Sequence, residues 1–512
     1  MRLRKRTTRH ATTVCAAVLL AAATLMTAPA RAAGGDETLT ADPSATWQTD
    51  GIVWTVEYAR GVVYVGGTFD SVRPPGAQPG ENEVARENFA AFDARSGALL
   101  PCAPSFAGGG DTVRALKASR DGAVLYAGGS FTTAAGTPVA SAAALNTADC
   151  SLRSDFRPAM SSFVRAIETT DGAVYLGGDF MLADGKARAR VAAFRPDGAL
   201  LPFAADIDAP VRALKAAPEH GKLLVGGEFN EVNGAEQHAL VALHPSTGAT
   251  VTSYPGWLPR RSSVRSIARD DTHFYVGAEG RGTGIFDGRL AGRLSGGEMV
   301  WKDYCLGATQ AVVVHGGVLY SGSHAHDCSR TPGGFPEHHD RQHFLANSAG
   351  DGRLLHWFPD TNGGTGEQNG PRALVMAEGT LWAGGEFTTV NDRPQQSLTR
   401  FAAGPDTGAP EDPPRLRAAD SGPRRTTLTW RAAWDRDDAE LTYLIYRDGV
   451  RVAARKQAST SWDRPDMTYA DPVTPGSRHR YTIAVTDGEN TSPQSAPVDV
   501  TAAAGPRSAQ GL

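Results

Sequence analysis

The chain has 512 residues, 41% hydrophobic and 21% charged, a globular balance that excludes a disordered or collagen-like polymer. Its formal charge is −4, but six bases (Arg2, Arg4, Lys5, Arg6, Arg9 and Arg31) stand in the first 32 residues; without them 45 basic residues face 55 acidic ones. Such an acidic chain lacks the basic face that a phosphate backbone demands, which excludes a nucleic-acid partner.

Residues 1–32 read as a secretory signal peptide: a basic start, an apolar run from Val14 to Met26, and Ala30-Arg31-Ala32 as a small-x-small cleavage site. About thirteen apolar residues cannot span a ~30 Å hydrocarbon core, and no later stretch holds 18 in a row, so no membrane span is expected. Cys15 opens the apolar run instead of closing it, which speaks against a lipidated cysteine. The expected location is extracellular. Four further cysteines, Cys102, Cys150, Cys305 and Cys328, predict two disulfides in an oxidising compartment. Three connectivities exist; Cys102–Cys150 with Cys305–Cys328 is favoured, because each pair then spans neighbouring repeats.

Those repeats are the clearest signal in the chain. The pattern is apolar-Arg-apolar-apolar, a turn, then aromatic-apolar-Gly-Gly-x-Phe, as in Val164-Arg165-Ala166-Ile167 followed by Tyr175-Leu176-Gly177-Gly178-Asp179-Phe180. The first glycine recurs at Gly66, Gly128, Gly177, Gly226, Gly277, Gly322 and Gly384. From the arginine slot to that glycine the distance is 12 residues in five copies and 14 in two. Within the third copy, Val164 to Ile167 predicts a first strand, Asp171-Gly172 a tight hairpin, and Val174 to Phe180 a second strand whose Gly-Gly pair marks a bulge or a close backbone approach. Val191 to Phe194 predicts a third strand, and Pro196-Asp197-Gly198 turns into a fourth around Leu200 to Phe203. Four strands per ~50 residues, seven times over, predict an all-β fold: a seven-bladed β-propeller over residues 46–402. A solenoid of stacked units would need capping ends that the sequence does not display.

Aromatic residues (Phe106, Phe156, Phe203, Tyr254 and Trp357) are expected in the outer strand that precedes each first strand. The last repeat ends near Leu398 to Phe401 without an outer strand, and Thr46-Trp47-Gln48 is expected to supply it, joining the two ends of the ring in one blade.

Residues 403–412 read as a linker stiffened by prolines, and 413–503 as a small sandwich, with strands at Thr427-Leu428-Thr429-Trp430, Tyr443-Leu444-Ile445-Tyr446 and Tyr481-Thr482-Ile483-Ala484-Val485. The segment from Tyr443 to Gly449, and Pro475-Gly476 before an alternating strand, resemble a fibronectin type III domain. The family's corner tyrosine, four residues after that proline, falls on His479, which puts its stabilising hydrogen bond in doubt. Residues 504–512 are expected to form a disordered tail. The Gly-Gly-x-Phe strands and the turn Phe92-Asp93-Ala94-Arg95-Ser96-Gly97 resemble the delta-60-type propeller repeats of secreted bacterial proteins. That resemblance implies fold and location and transfers no catalytic residue.

Two constellations invite chemistry. The slot holds Arg114, Arg165, Arg212, Arg265 and Arg372, with Trp54 and Gln310 in the remaining copies. Five arginines near the inner rim of a ring would make an anion-binding mouth. However, position x is Asp179, Glu228, Glu279 and Glu386 in four of the arginine copies. Structural ion pairs Arg165–Asp179, Arg212–Glu228, Arg265–Glu279 and Arg372–Glu386 are therefore the favoured reading, with Arg114 facing Ser130.

The sixth repeat is histidine-rich: His324-Ala325-His326, then His338-His339. His-x-His on a strand puts both imidazoles on one face, which suits zinc or copper at His324, His326, His338 and His339, although a polar loop pinned by a disulfide explains the composition as well. No Gly-x-Ser-x-Gly elbow, phosphate loop or His-Glu-x-x-His stands in the chain, and no catalytic residue is assigned. The expected role is a secreted, monomeric, non-catalytic binding or scaffold protein engaging extracellular glycan or protein. The alternative is a hydrolase acting on the glycosidic bonds of polysaccharides, suggested by the company that fibronectin-like modules keep.

Overall fold

The computed structural model describes residues 37–337, 341–404 and 406–505. The expected signal peptide, His338, His339 and residues 506–512 of the expected tail lie outside the described residues. Among the described residues the regular structure is strand, apart from one 3₁₀ turn at Pro218–His220.

Each repeat builds one antiparallel sheet. The innermost strands are Ile52–Ala59, Thr112–Ala118, Val164–Thr169, Val211–Ala217, Ser262–Arg269, Thr309–His315 and Pro371–Ala377. Each is paired to a second strand and, through it, to a third. Each inner strand also lies against the next, and Pro371–Ala377 lies against Ile52–Ala59, so the ring closes. A closed ring of antiparallel sheets is a β-propeller.

The core lies between neighbouring sheets. Tyr175, Val191 and Ala193 of the third repeat pack on Val211, Leu223 and Val225 of the fourth, all nearly inaccessible. Such contact needs flat, close sheets, which explains the first glycine of each pair. A Cβ on Gly177 would stand 2.6 Å from Cγ1 of Val211 in the next sheet.

The outer strand differs from expectation. Full fourth strands occur at Thr250–Ser253 and Met299–Lys302, whereas other repeats are reduced to single bridges such as Phe92 with Leu99 and Leu145 with Leu152. The marker aromatics are not fourth-strand residues. Phe106–Ala107 pairs with Thr133–Ala134, a hairpin of the following repeat, and Phe106, Phe156, Phe203 and Trp357 are fully buried. Aromatic volume fills the wedge where the chain crosses between blades, so the signal reports the crossover and not the strand.

For the same reason Gln48–Thr49 pairs with Ser71–Arg73 and does not complete the last sheet. That place is taken by residues 40–44. Thr40 N–H donates to Ala402 O (3.2 Å), Ser44 N–H donates to Arg400 O (2.9 Å), and Pro43 bridges Phe401. Proline is tolerated there because an outermost strand needs no outward donor. Ends joined in one blade were expected; the segment that joins them begins earlier than Thr46.

The Asp171-Gly172 turn also differs. Neither residue has positive φ, and Thr170 N–H closes a four-residue turn on Ala173 O (2.8 Å). The Thr170 hydroxyl, accepting from Ala173 N–H at 3.1 Å, stabilises this wider turn over the two-residue form.

Beyond residue 415 two sheets face each other. One is Arg417–Ser421, Arg425–Arg431 and Asp466–Pro472; the other is Val450–Ala458, Glu440–Arg447, Arg478–Thr486 and Val498–Thr501. Leu428, Trp430, Leu441, Tyr443, Ile445, Tyr481 and Ile483 fill the space between them. His479 Nδ1 meets Asp448 at 2.7 Å, and Tyr481 supplies a buried phenol, donating to Asp471 at 2.6 Å.

This sandwich docks on the propeller. Phe358 N–H donates to Arg436 O (2.8 Å), and Trp462 packs edge-on against Phe358 with centroids 4.9 Å apart. The expected linker follows the same junction, with Thr407 donating to Asp42 (3.0 Å) and Glu411 N–H to Trp434 O (2.7 Å).

Candidate functional site

In every repeat the slot residue is the extra residue of a β-bulge. The register slips between Val53 and Thr55, Val113 and Ala115, Val164 and Ala166, Val211 and Ala213, Val264 and Ser266, Thr309 and Ala311, and Pro371 and Ala373. A bulge frees one side chain from the ladder and re-aims it. Here it brings Trp54, Arg114, Arg165, Arg212, Arg265, Gln310 and Arg372 together around one cavity of about 90 Å³. The second glycine of each pair serves the bulge: a Cβ on Gly178 would lie 2.1 Å from the Phe163 carbonyl oxygen.

Position x decides how each slot side chain is held. Arg165 donates through Nε and Nη2 to the two oxygens of Asp179, both at 2.6 Å. Arg212 donates to Glu228 (3.0 and 2.5 Å), and Arg372 to Glu386 (3.1 and 2.6 Å). Arg265 lies 3.4 Å from Glu279 and 3.6 Å from Glu228, bridging two repeats. In the first repeat Trp54 Nε1 donates to Thr68 Oγ1 (3.0 Å), again slot to x.

The second and sixth repeats break the rule. Gln310 turns from His324 to donate to Glu279 at 2.7 Å. Arg114 has Ser130 opposite and, among the described residues, makes no carboxylate pair; its Nε is buried without a hydrogen bond, and its guanidinium lies on Trp54, 3.5 Å from the ring centroid. Burial, then the positive charges of Arg165 and Arg372, lower the Arg114 pKa to about 10.

At a second depression of about 430 Å³, three residues along from the slots, the inner strands carry an arc that sequence reading missed. Glu57, Lys117, Glu168 and Lys215 alternate in sign, with Lys117 Nζ 2.9 Å from Glu57 and Lys215 Nζ 3.8 Å from Glu168. Burial opposes the Lys117 charge, but Glu57 and Glu168 hold it above the ordinary lysine range. The offset from the slot was visible in the sequence; the alternation defeats a consensus.

The described histidines of the sixth repeat hold separate partners. The register slips between Gly322 and Ala325, so the alternation expected of His-x-His is interrupted. His324 Nε2 accepts from Ala308 N–H (3.3 Å), and burial holds its pKa below the ordinary value. His326 Nδ1 meets Glu337 at 2.9 Å, and the buried His343 meets Asp360 at 3.1 Å. His324 and His326 thus engage different partners, and His338 and His339 lie outside the described residues.

Among the described residues the group of ligand-type side chains that does converge is Asp406, Asp435, Asp437 and Asp438 at the junction, with oxygens within 4.8 Å of one another. Cysteines pair as Cys102–Cys150 and Cys305–Cys328, with Cα atoms 5.6 and 4.0 Å apart. Each bond ties consecutive repeats.

No family model matches the chain, and no curated protein matches it in sequence. Among solved structures it is similar to a chain of the mitotic checkpoint complex, at 11% identity and a TM-score of 0.46 over 74% of this chain and all of that one. It is also similar to Sqt1 of Saccharomyces cerevisiae, at 12% identity and a TM-score of 0.39 over 71% of this chain and all of that one. The propeller assignment rests on the sheet topology. Among the described residues no helix is long and apolar enough to cross a membrane.

Proposed function

We propose that the chain is a secreted, monomeric, non-catalytic binding or scaffold protein: a seven-bladed propeller followed by a fibronectin type III-like domain. Its partner is an extracellular glycan or protein, met at the mouth ringed by the slot residues. The observation that carries this reading is preorganisation. Slot side chains from every repeat converge on one rim, and most are fixed by a hydrogen bond to their own x residue or to its neighbour in the ring. A groove of about 440 Å³ shares Arg212 with that rim, and one of about 290 Å³ is lined by Glu279 and Glu367, the partners of Arg265 and Arg372. Rigid polar surfaces of this kind bind without losing much side-chain freedom. The two disulfides agree with an oxidising compartment.

The hydrolase alternative has one specific observation in its favour. Burial holds Asp287, in the smaller groove beside Glu279 and His324, above the ordinary carboxylate range, as a general acid requires. A glycan array combined with a turnover screen on the same polysaccharides separates the readings. Saturable binding without product release is expected. Turnover abolished by Asp287→Asn would overturn the binding reading.

A further inference from the structure

We propose that the ring of slot arginines is a binding site for a single carboxylate group, with Arg114 as its principal ligand. This goes beyond the scaffold reading, since it names the chemistry of one subsite and holds whichever macromolecule the wider face engages.

Charge is the first argument. Arg165, Arg212, Arg265 and Arg372 each have a carboxylate from position x, and Arg372 has a second in Glu367 at 2.9 Å. Arg114 has none: position x is Ser130, whose Oγ instead accepts from Gly110 N–H at 3.1 Å. Arg114 is therefore the slot guanidinium without a carboxylate contact of its own among the described residues; Glu367, paired to Arg372, acts on it only at longer range.

Unmet valence is the second. A guanidinium presents five donors in a planar fork that matches a carboxylate, and such charge-assisted pairs are roughly twice as strong as neutral hydrogen bonds. Arg114 lays its face on Trp54, the ring that also carries Arg372 with its Cζ 4.6 Å from the centroid. Stacking leaves the in-plane donors unused. The stacked indole fixes the fork, so little rotamer freedom remains to be lost on binding.

Size is the third. A cavity of about 90 Å³ admits a carboxylate headgroup, and the groove of about 440 Å³ that shares Arg212 with it, lined by Arg260, Arg261 and Arg281 as well as by Glu228 and Glu279, offers room for a bulkier remainder. A sugar acid fits that division.

The test uses the full chain. Thermal unfolding is followed while glucuronate, glucose, acetate or sulfate is added at an ionic strength held constant with chloride. A saturable rise in Tm is expected with glucuronate and acetate and none with glucose. A rise with sulfate alone would reassign the site to a dianion and overturn the carboxylate assignment.

Arg114→Gln should abolish the rise. Because that variant also removes a buried stacking partner, Ser130→Glu provides the second arm. Arg114 and Ser130 are 16 residues apart, as Arg212 and Glu228 are, so the side chain introduced by Ser130→Glu would supply the missing carboxylate from the chain itself. Ser130→Glu is expected to fold and to lose the carboxylate response. A response retained in both variants, or one matched by chloride alone, overturns the proposal. Array binding retained by a Ser130→Glu chain that has no carboxylate response would leave the scaffold reading standing without this subsite, whereas a carboxylate response with no array binding would overturn the scaffold reading alone, so the two fail separately.

Discussion

Glu386 accepts both Nε and Nη2 of Arg372 on a single oxygen, at 3.1 and 2.6 Å, with the two side chains 0% and 4% exposed. Arg212 and Glu228 repeat the pairing at 20% and 37% exposure. The motif is the same, but the solvent differs. Removing one partner of a buried pair leaves an unpaired charge, about 3–5 kcal/mol, whereas an exposed pair contributes ~0.2–1 kcal/mol. Arg372→Ala is therefore expected to lower stability several-fold more than Arg212→Ala in denaturant titrations. Double-mutant cycles should give a large coupling for Arg372 with Glu386 and a small one for Arg212 with Glu228. Equal losses at the two sites would show that burial does not govern these pairs.

What was legible in the sequence is what recurs. Position x stands two residues after the first glycine in every copy and the slot 12 or 14 residues before that glycine, so the strand pairs, the arginine–acid partners and the inter-sheet glycines followed from one copy. The closing strand was misplaced because Trp47 resembles Phe106, and both report crossovers. The alternating arc of Glu57, Lys117, Glu168 and Lys215 was missed because its sign changes from repeat to repeat. The junction aspartates, Asp406 and Asp435 to Asp438, come from segments that only docking brings together. Contacts made once leave no periodic trace.

Arg289 and Asp303 form such a single contact. Both side chains are wholly inaccessible. Arg289 also donates to Ser321 Oγ (3.0 Å), and Asp303 Oδ1 accepts from Cys305 N–H (2.8 Å) and from the Thr331 hydroxyl. Asp303 thus joins the fifth sheet to the loop beyond Cys328. Asp303→Ala should cost about 3–5 kcal/mol, more than any exposed pair in the ring. Differential scanning calorimetry reads the loss directly; a change below about 1 kcal/mol would mean that the pair is dispensable.

Glycines in one hairpin separate two roles. A Cβ on Gly178 would meet the Phe163 carbonyl oxygen at 2.1 Å, so the backbone of this repeat must shift to admit it; the fifth and sixth repeats, whose bulges carry Ala278 and Ser323 at this position, show the bulge that results. Gly172 has open space around it and no positive φ. Gly178→Ala is expected to be destabilising, through the backbone shift it forces, and to disturb the Arg165–Asp179 pair. Gly172→Ala should be neutral or stabilising by ~0.4–1 kcal/mol, through a less flexible unfolded chain. Thermal unfolding of the two variants side by side distinguishes these effects, and a destabilised Gly172→Ala would contradict the turn geometry.

The docking junction should respond to pH. Burial, then the neighbouring carboxyls, raise Asp406 to about 7 and Asp437 to about 8. Asp437 accepts the Ala41 N–H at 2.6 Å, and Asp435 Oδ1 accepts N–H of Asp437 (3.1 Å) and Asp438 (3.3 Å), so the cluster cannot spread apart freely. In the unfolded chain both aspartates titrate near 3.8. Between about pH 4 and pH 8 the folded protein therefore holds protons that the unfolded chain has released. Stability contributed by these groups must fall as pH rises through that window and level off above it. Asp437→Asn keeps an acceptor for Ala41 and removes the charge. Its Tm should exceed that of the parent at pH 8, and the gap should close toward pH 4, with a chelator present throughout. A variant less stable than the parent at pH 8 would show that the ionised carboxylate stabilises the junction, reversing the sign argued here.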